Sequence, residues 1–143
     1  MGEKLRVVLD TNIWVSIALD KTLAGDFLPL IRRKKINAYI SRALLTELAR
    51  VLTYPRIQTI LEEAGIEPAQ ALSSVARSAT LTRTKKTVEE ISEDPPDNRV
   101  LECALSAKAG FIVTGDNHLL KSQEFEGIKL LAAREFLEMG FSP

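Results

Sequence analysis

Four acids fall where they could do chemistry together: Asp10, Glu47, Asp97 and Asp116. Asp10 ends the run Leu5-Arg6-Val7-Val8-Leu9-Asp10-Thr11-Asn12, in which a short β-branched stretch gives way to an acid, a hydroxyl and an amide. Such a run reads as a buried strand with Asp10 at its carboxyl end, where open α/β sheets bind ligands. Asp116 repeats the arrangement after Phe111-Ile112-Val113-Thr114-Gly115, and Gly115 allows a sharp turn that brings the carboxylate back over the strand. Glu47 borders the apolar stripe Leu44, Leu45, Leu48, Val51 and Leu52 of a helix, and a carboxylate at a core boundary is costly unless paired or bound to a cation. Asp97 shares its wheel direction with Val100, Leu101, Ala104 and Leu105, so it aims over the sheet. Asn98 flanks it, and Asp94 stands close enough to substitute or assist.

Three of the acids also have a plainer job. Asp10 and Asp97 could simply cap the helices that follow them, and Thr11 or Asn12 could cap as well as Asp10. Glu47 could pair on the surface with Arg50 or Arg42. Taken together, however, the four supply oxygen ligands without cysteine or histidine, a set that suits Mg²⁺ or Mn²⁺ rather than zinc. Carboxylates that close repel and need cations to stay ionised at neutral pH. A divalent ion so held usually contacts substrate phosphate as well, and the chemistry implied is hydrolysis of a phosphodiester. His118, two residues after Asp116, reads as a solvated helix residue rather than a ligand.

The elements that must position these groups alternate in type. Strands are expected at Leu5–Leu9, Ala38–Ser41, Thr80–Thr87, Phe111–Thr114 and Ile128–Leu131. Helices are expected at Ile13–Leu19, from Phe27 to the basic run Arg32-Arg33-Lys34-Lys35, and at Arg42–Leu52, Arg56–Ala64, Pro68–Ala79, Asp97–Ala109, Asn117–Lys121 and Ala133–Met139. Asp20–Gly25 reads as a break, and the acidic stretch Glu89 to Asp94 as an exposed loop. The pair Arg56–Ala64 and Pro68–Ala79 reads as a helical hairpin projecting from the sheet, a surface for a partner or second subunit. The basic run either complements a helix end or contacts phosphate beside the acids. Trp14 reads as core or rim packing rather than a stacking platform. The alternation argues an α/β fold with a parallel sheet covered on both faces.

Length and composition set the frame. A chain of 143 residues suits a single domain over 1–143 with a real core. Nineteen basic residues balance nineteen acidic ones, so no global charge favours tight, sequence-independent nucleic-acid binding. The lone cysteine, Cys103, excludes an internal disulfide and suits a reducing cytoplasm. No apolar run is long enough to span a bilayer and no signal pattern precedes the first strand, so no membrane role is expected.

The order Val7-Val8-Leu9-Asp10-Thr11-Asn12, Leu44-Leu45-Thr46-Glu47-Leu48, Asp94-Pro95-Pro96-Asp97-Asn98 and Ile112-Val113-Thr114-Gly115-Asp116 resembles the PIN-domain family, and the closing Ile128-Lys129-Leu130-Leu131 fits as well. The resemblance covers nearly the whole chain. It implies a three-layer α/β/α fold with a central, mainly parallel sheet. It implies a Mg²⁺- or Mn²⁺-dependent endoribonuclease acting on single-stranded RNA, with Asp10, Glu47, Asp97 and Asp116 as catalytic metal ligands. Thr11, Asn12 and Thr114 would support them. Many family members of this length are toxins of toxin–antitoxin pairs, so a homodimer and an antitoxin partner are further expectations. Two other readings compete: an α/β phosphatase or phosphotransferase using Asp10 as nucleophile, and an RNA-binding regulatory module without catalysis. Against the first, Asn12 stands where a second acid is expected two residues after the nucleophile. The absence of a Gly-rich phosphate loop argues against a nucleotide-dependent enzyme.

Overall fold

The computed structural model describes residues 5–84 and 95–140, with Lys21 and residues 95–97 described by backbone alone. Six strands form one sheet: β1 (Leu5–Leu9), β2 (Ile36–Ser41), β3 (Thr80–Thr82), β4 (Phe111–Val113), β5 (Glu124–Phe125) and β6 (Ile128–Leu131). Their order is β3-β2-β1-β4-β6-β5. Every neighbouring pair is parallel except β5 with β6. β1 is central, and Val7, Val8 and Leu9 have no exposed surface, which is why that strand is a continuous apolar run rather than an alternating one.

The helices are α1 (Thr11–Leu19), α2 (Lys21–Arg32), α3 (Arg42–Val51), α4 (Pro55–Ala64), α5 (Pro68–Ser78), α6 (Pro95–Ala107), α7 (Asn117–Ser122) and α8 (Ala133–Leu137). Crossovers between parallel strands are right-handed. From β1 the chain steps to β2 and then β3 on one side, which places α1 to α5 on one face. It then crosses back to β4, which places α6 on the other. The contacts agree: α1 packs on α2 and α3, and α5 on α2 and α3, while α6 lies along β1, β2, β3 and β4. Helices therefore flank a mainly parallel sheet, as the alternation implied. Leu44, Leu48 and Leu52 of the α3 region, Ile57 and Leu61 of α4, and Ala71 and Val75 of α5 join Trp14 in the core. Phe27 of α2 stacks on Phe136 of α8 with ring centres 6.1 Å apart, tying the last helix to that face.

Several boundaries differ from expectation for identifiable reasons. Asp20 does not open a break. Its carboxylate accepts from Thr22 N and Leu23 N, so it ends α1 and caps α2 at once. Gly25 and Pro29 then lie inside α2. The α4–α5 hairpin does not project; it buries Ile57, Leu61, Ala71 and Val75 and packs on α1 and α3. β3 is shorter than expected, and the expected strand at 85–87 and acidic loop from Glu89 to Asp94 lie outside the described residues. α6 begins at Pro95, two residues early, since proline suits a helix's first turn. β5 was not expected at all. It folds back on β6 through Glu126 (φ 47°) and Gly127 (φ 84°), a two-residue turn of left-handed residues.

The basic run Arg32–Lys35 precedes β2, whose first residue Ile36 pairs with Leu5 at the start of β1. It therefore lies at the amino end of the sheet, and Asp10 at the carboxyl end. A five-residue strand separates the two by roughly 16 Å. The run is not a phosphate patch beside the acids.

Candidate active site

Chain order and strand order part company between β1 and β4, because β2 goes to one side of β1 and β4 to the other. Such a switch point leaves a crevice outside the carboxyl ends of the two strands. Asp10 follows β1 there, and Thr114 and Asp116 follow β4.

Three polar groups meet in that crevice. Asp10 is 7% exposed, and its backbone N–H donates to Val113 O at 2.9 Å, which fixes it against β4. Asp10 Oδ1 accepts from Thr11 N at 2.7 Å, the capping bond of α1. Asp10 Oδ2 accepts from Thr114 Oγ1 at 2.7 Å. Thr114 Oγ1 in turn accepts from Asp116 N at 3.0 Å. Asp116 Oδ1 caps α7 by accepting from His118 N at 2.8 Å. The capping roles and the clustering are thus one arrangement, since caps at two neighbouring strand ends converge.

Burial pushes the Asp10 carboxyl above the ordinary carboxylate range, and the Asp116 charge pushes the same way, while the bonds from Thr114 and Thr11 oppose both. Asn12, exposed, lies beside Gly115; a Cβ at Gly115 would stand 3.7 Å from Asn12 Nδ2, an ordinary contact. Gly115 has no left-handed backbone, so it is not needed for a sharp turn as expected. His118 is exposed, as its helix position implied.

The remaining acids stand differently. Glu47 is half-buried on α3, between the buried Leu44 and Leu48. Among the described residues no three Asp, Glu, His or Cys side chains gather closely enough to hold an ion. Asp94 lies outside the described residues, and so does the Asp97 side chain. The backbone of α6 can still be placed. Arg6 Nη1, near the start of β1, donates to Ala107 O at 3.0 Å, so α6 ends toward the amino end of the sheet. Cys103 bonds Ser41 at the carboxyl end of β2. The helix therefore starts on the carboxyl side of the sheet and runs toward its amino end, with Asp97 in its first turn and Asn98, half-buried, just after it.

One buried acid escaped the sequence reading. Glu102 on α6 is 4% exposed and accepts from Arg99 Nη1 at 2.7 Å. Its signal was an acid enclosed by Val100-Leu101 and Cys103-Ala104. Next to it the Cys103 thiol is pushed up to about 12 by burial, with its Ser41 bonds working the other way. No helix among the described residues is long and apolar enough to cross a membrane.

An all-oxygen pair fits a hard divalent cation. Asp10 has both oxygens oriented, and Asp116 Oδ2 carries no hydrogen bond among the described residues. A cation there would offset the burial and mutual repulsion that push the Asp10 carboxyl upward.

No curated protein sequence matches the chain. Among solved structures, a chain in the crystal structure of VapBC2 from Rickettsia felis bound to a DNA fragment from their promoter superposes with a TM-score of 0.61 at 15% identity, over 88% of this chain and 97% of that one. At that identity the likeness concerns the fold. The PIN domain profile matches residues 6–118, which runs from β1 through the Asp116 turn into α7, and on that match this chain belongs to the PIN-domain family.

Proposed function

We propose that the chain is a divalent-metal-dependent ribonuclease that hydrolyses phosphodiester bonds of single-stranded RNA. PIN domains are nucleases, and the observation that carries the reading here is the linked trio Asp10, Thr114 and Asp116 at the switch point. Asp10 and Asp116 would hold Mg²⁺ or Mn²⁺, with Glu47 from α3 and Asp97 from the start of α6 completing the acidic set. Asp94 and Asn98 would assist near Asp97. When bound, the cation supplies positive charge for the phosphate and makes water a competent nucleophile at neutral pH.

The chain's own groups do the rest. Thr11 N and Thr114 Oγ1 fix both Asp10 oxygens, so the carboxylate needs no reorganisation when substrate arrives. The α7 cap fixes Asp116. Asn12 is exposed at the mouth and would hydrogen-bond the substrate beside Gly115. A role as toxin, blocked by an antitoxin and active as a homodimer in the cytoplasm, is the biological setting we infer; the VapBC2 neighbour supports a protein partner. The test is incubation of a labelled single-stranded RNA with the full chain in Mn²⁺, Mg²⁺ or EDTA. Cleavage in either metal and none in EDTA supports the reading. Binding without cleavage under any divalent ion makes this a binding module, and trapped phosphate on Asp10 makes it a phosphotransferase.

A further inference from the structure

At the opposite end of the sheet from the acids lies a recess of about 450 Å³, walled by the ends of α2 and α5 and the starts of β2 and β3. Leu28, Ile31 and the buried Ile36 contribute its apolar floor. Arg32, Lys34 and Arg77 stand around it, all exposed, with no carboxylate among the described residues of the lining. None of the three makes an ion pair with a described residue. In a chain of zero net charge this is a local concentration, not a reflection of composition.

Its other wall is held in place from within. Thr80 Oγ1 donates to Asn37 Oδ1 at 2.7 Å, and Asn37 Nδ2 donates to Tyr39 Oη at 3.0 Å. Ser78 Oγ donates to Ser74 O. The Thr80 and Ser78 hydroxyl protons are thereby spent, and the three cations are the charged groups left to meet a ligand. The plainer account is that Arg32 and Arg77 complement helix carboxyl ends. Each such end carries roughly half a negative charge, so three cations against two ends leave the recess positive by about two charges. Lys34 also holds a left-handed backbone (φ 60°) where glycine or asparagine usually closes a helix.

We propose that this recess is a phosphate-binding site separate from the acidic crevice, and that it takes the backbone of a nucleic-acid strand. Exposed cations around an apolar floor suit a passing strand, whose phosphates meet the charges while a base or sugar rests on Leu28 and Ile31. The inference goes beyond the nuclease reading and does not need the acids to cut.

The test is fluorescence anisotropy with a labelled 15-nucleotide single-stranded RNA and the full chain in EDTA, so that binding is read without cleavage. Arg32→Gln/Arg77→Gln should weaken binding at least tenfold at low salt. It should also make the slope of log affinity against log salt shallower by about 1.4, at ~0.7 for each single-strand phosphate contact. Arg56→Gln, the same charge change on α4, should leave both unchanged, and the melting temperature of each variant identifies any that is merely unfolded. Should the double variant unfold, Lys34→Gln alone should still lower the slope by about 0.7. Tripolyphosphate is the second probe. If it binds the wild type and needs Arg32 and Arg77 while RNA does not bind, the phosphate site stands and the nucleic-acid source is rejected. If folded variants bind both probes like wild type, the proposal is overturned. RNA that binds in this way but is never cut with metal would sink the nuclease reading and leave this one intact.

Discussion

Thr114 Oγ1 donates to Asp10 Oδ2 at 2.7 Å, joining two residues 104 positions apart, and the same oxygen accepts from Asp116 N. One hydroxyl therefore orients the buried acid and the turn that carries its neighbour. Thr114→Val keeps the shape and removes the hydroxyl. Asp10 Oδ1 keeps its bond from Thr11 N, but a buried Oδ2 left without a donor costs about 1–3 kcal/mol. The variant should lose that much stability in urea unfolding and cleave RNA more slowly than Thr114→Ser, which retains the donor.

The raised Asp10 titration has a definite sign. A carboxyl whose folded pKa lies above its unfolded value binds more protons in the folded state, so stability falls as pH rises from the unfolded value through the folded one. Above that window the full cost of the buried charge is present. Asp10→Asn removes it, and without metal the variant should melt higher than wild type at pH 7. The gap should shrink toward pH 4 as Asp10 takes its proton. Thermal melts in EDTA across that range check this; a variant that melts lower at pH 7 would show the charge to be well solvated.

A cation that relieves this cost should bind the folded state alone. Mn²⁺ should raise the melting temperature of the wild type, by roughly 2.7 kcal/mol of added stability when its concentration is 100-fold above its dissociation constant. EDTA should reverse the shift. Asp116→Asn should abolish most of it, as measured by scanning fluorimetry with and without metal.

Cys103 offers an independent check on the α6 packing. With no exposed surface and a thiol pushed up to about 12, it should be almost wholly protonated at pH 8. A thiol reagent should label it only after denaturant is added. Prompt labelling of the native chain would mean that α6 does not sit on Ser41.

Much of this arrangement was legible along the chain, and the reasons are local. β1 and β4 are short apolar runs closed by polar groups, and Asp10 and Asp116 are caps as well as site residues, so one spacing encodes both. Asp20 was misread because a cap that ends one helix and starts another looks like a break. β5 was missed because two residues carry too little pattern, and Glu126 is an unusual occupant of its turn. The position of Arg32–Lys35 depended on parallel register, since Ile36 against Leu5 is a fact of pairing that no window of residues contains. The distance of Glu47 and Asp97 from the crevice is likewise set by tertiary packing, while their helical stripes encode only a place at a core boundary.

The most direct test of the whole account is cleavage of a labelled single-stranded RNA in Mn²⁺ by wild type beside Asp116→Asn. The wild type should cut, and the variant, folded by circular dichroism, should lose at least about 100-fold in rate, in line with removal of an electrostatic catalytic group. A folded Asp116→Asn that cuts at the wild-type rate would contradict it.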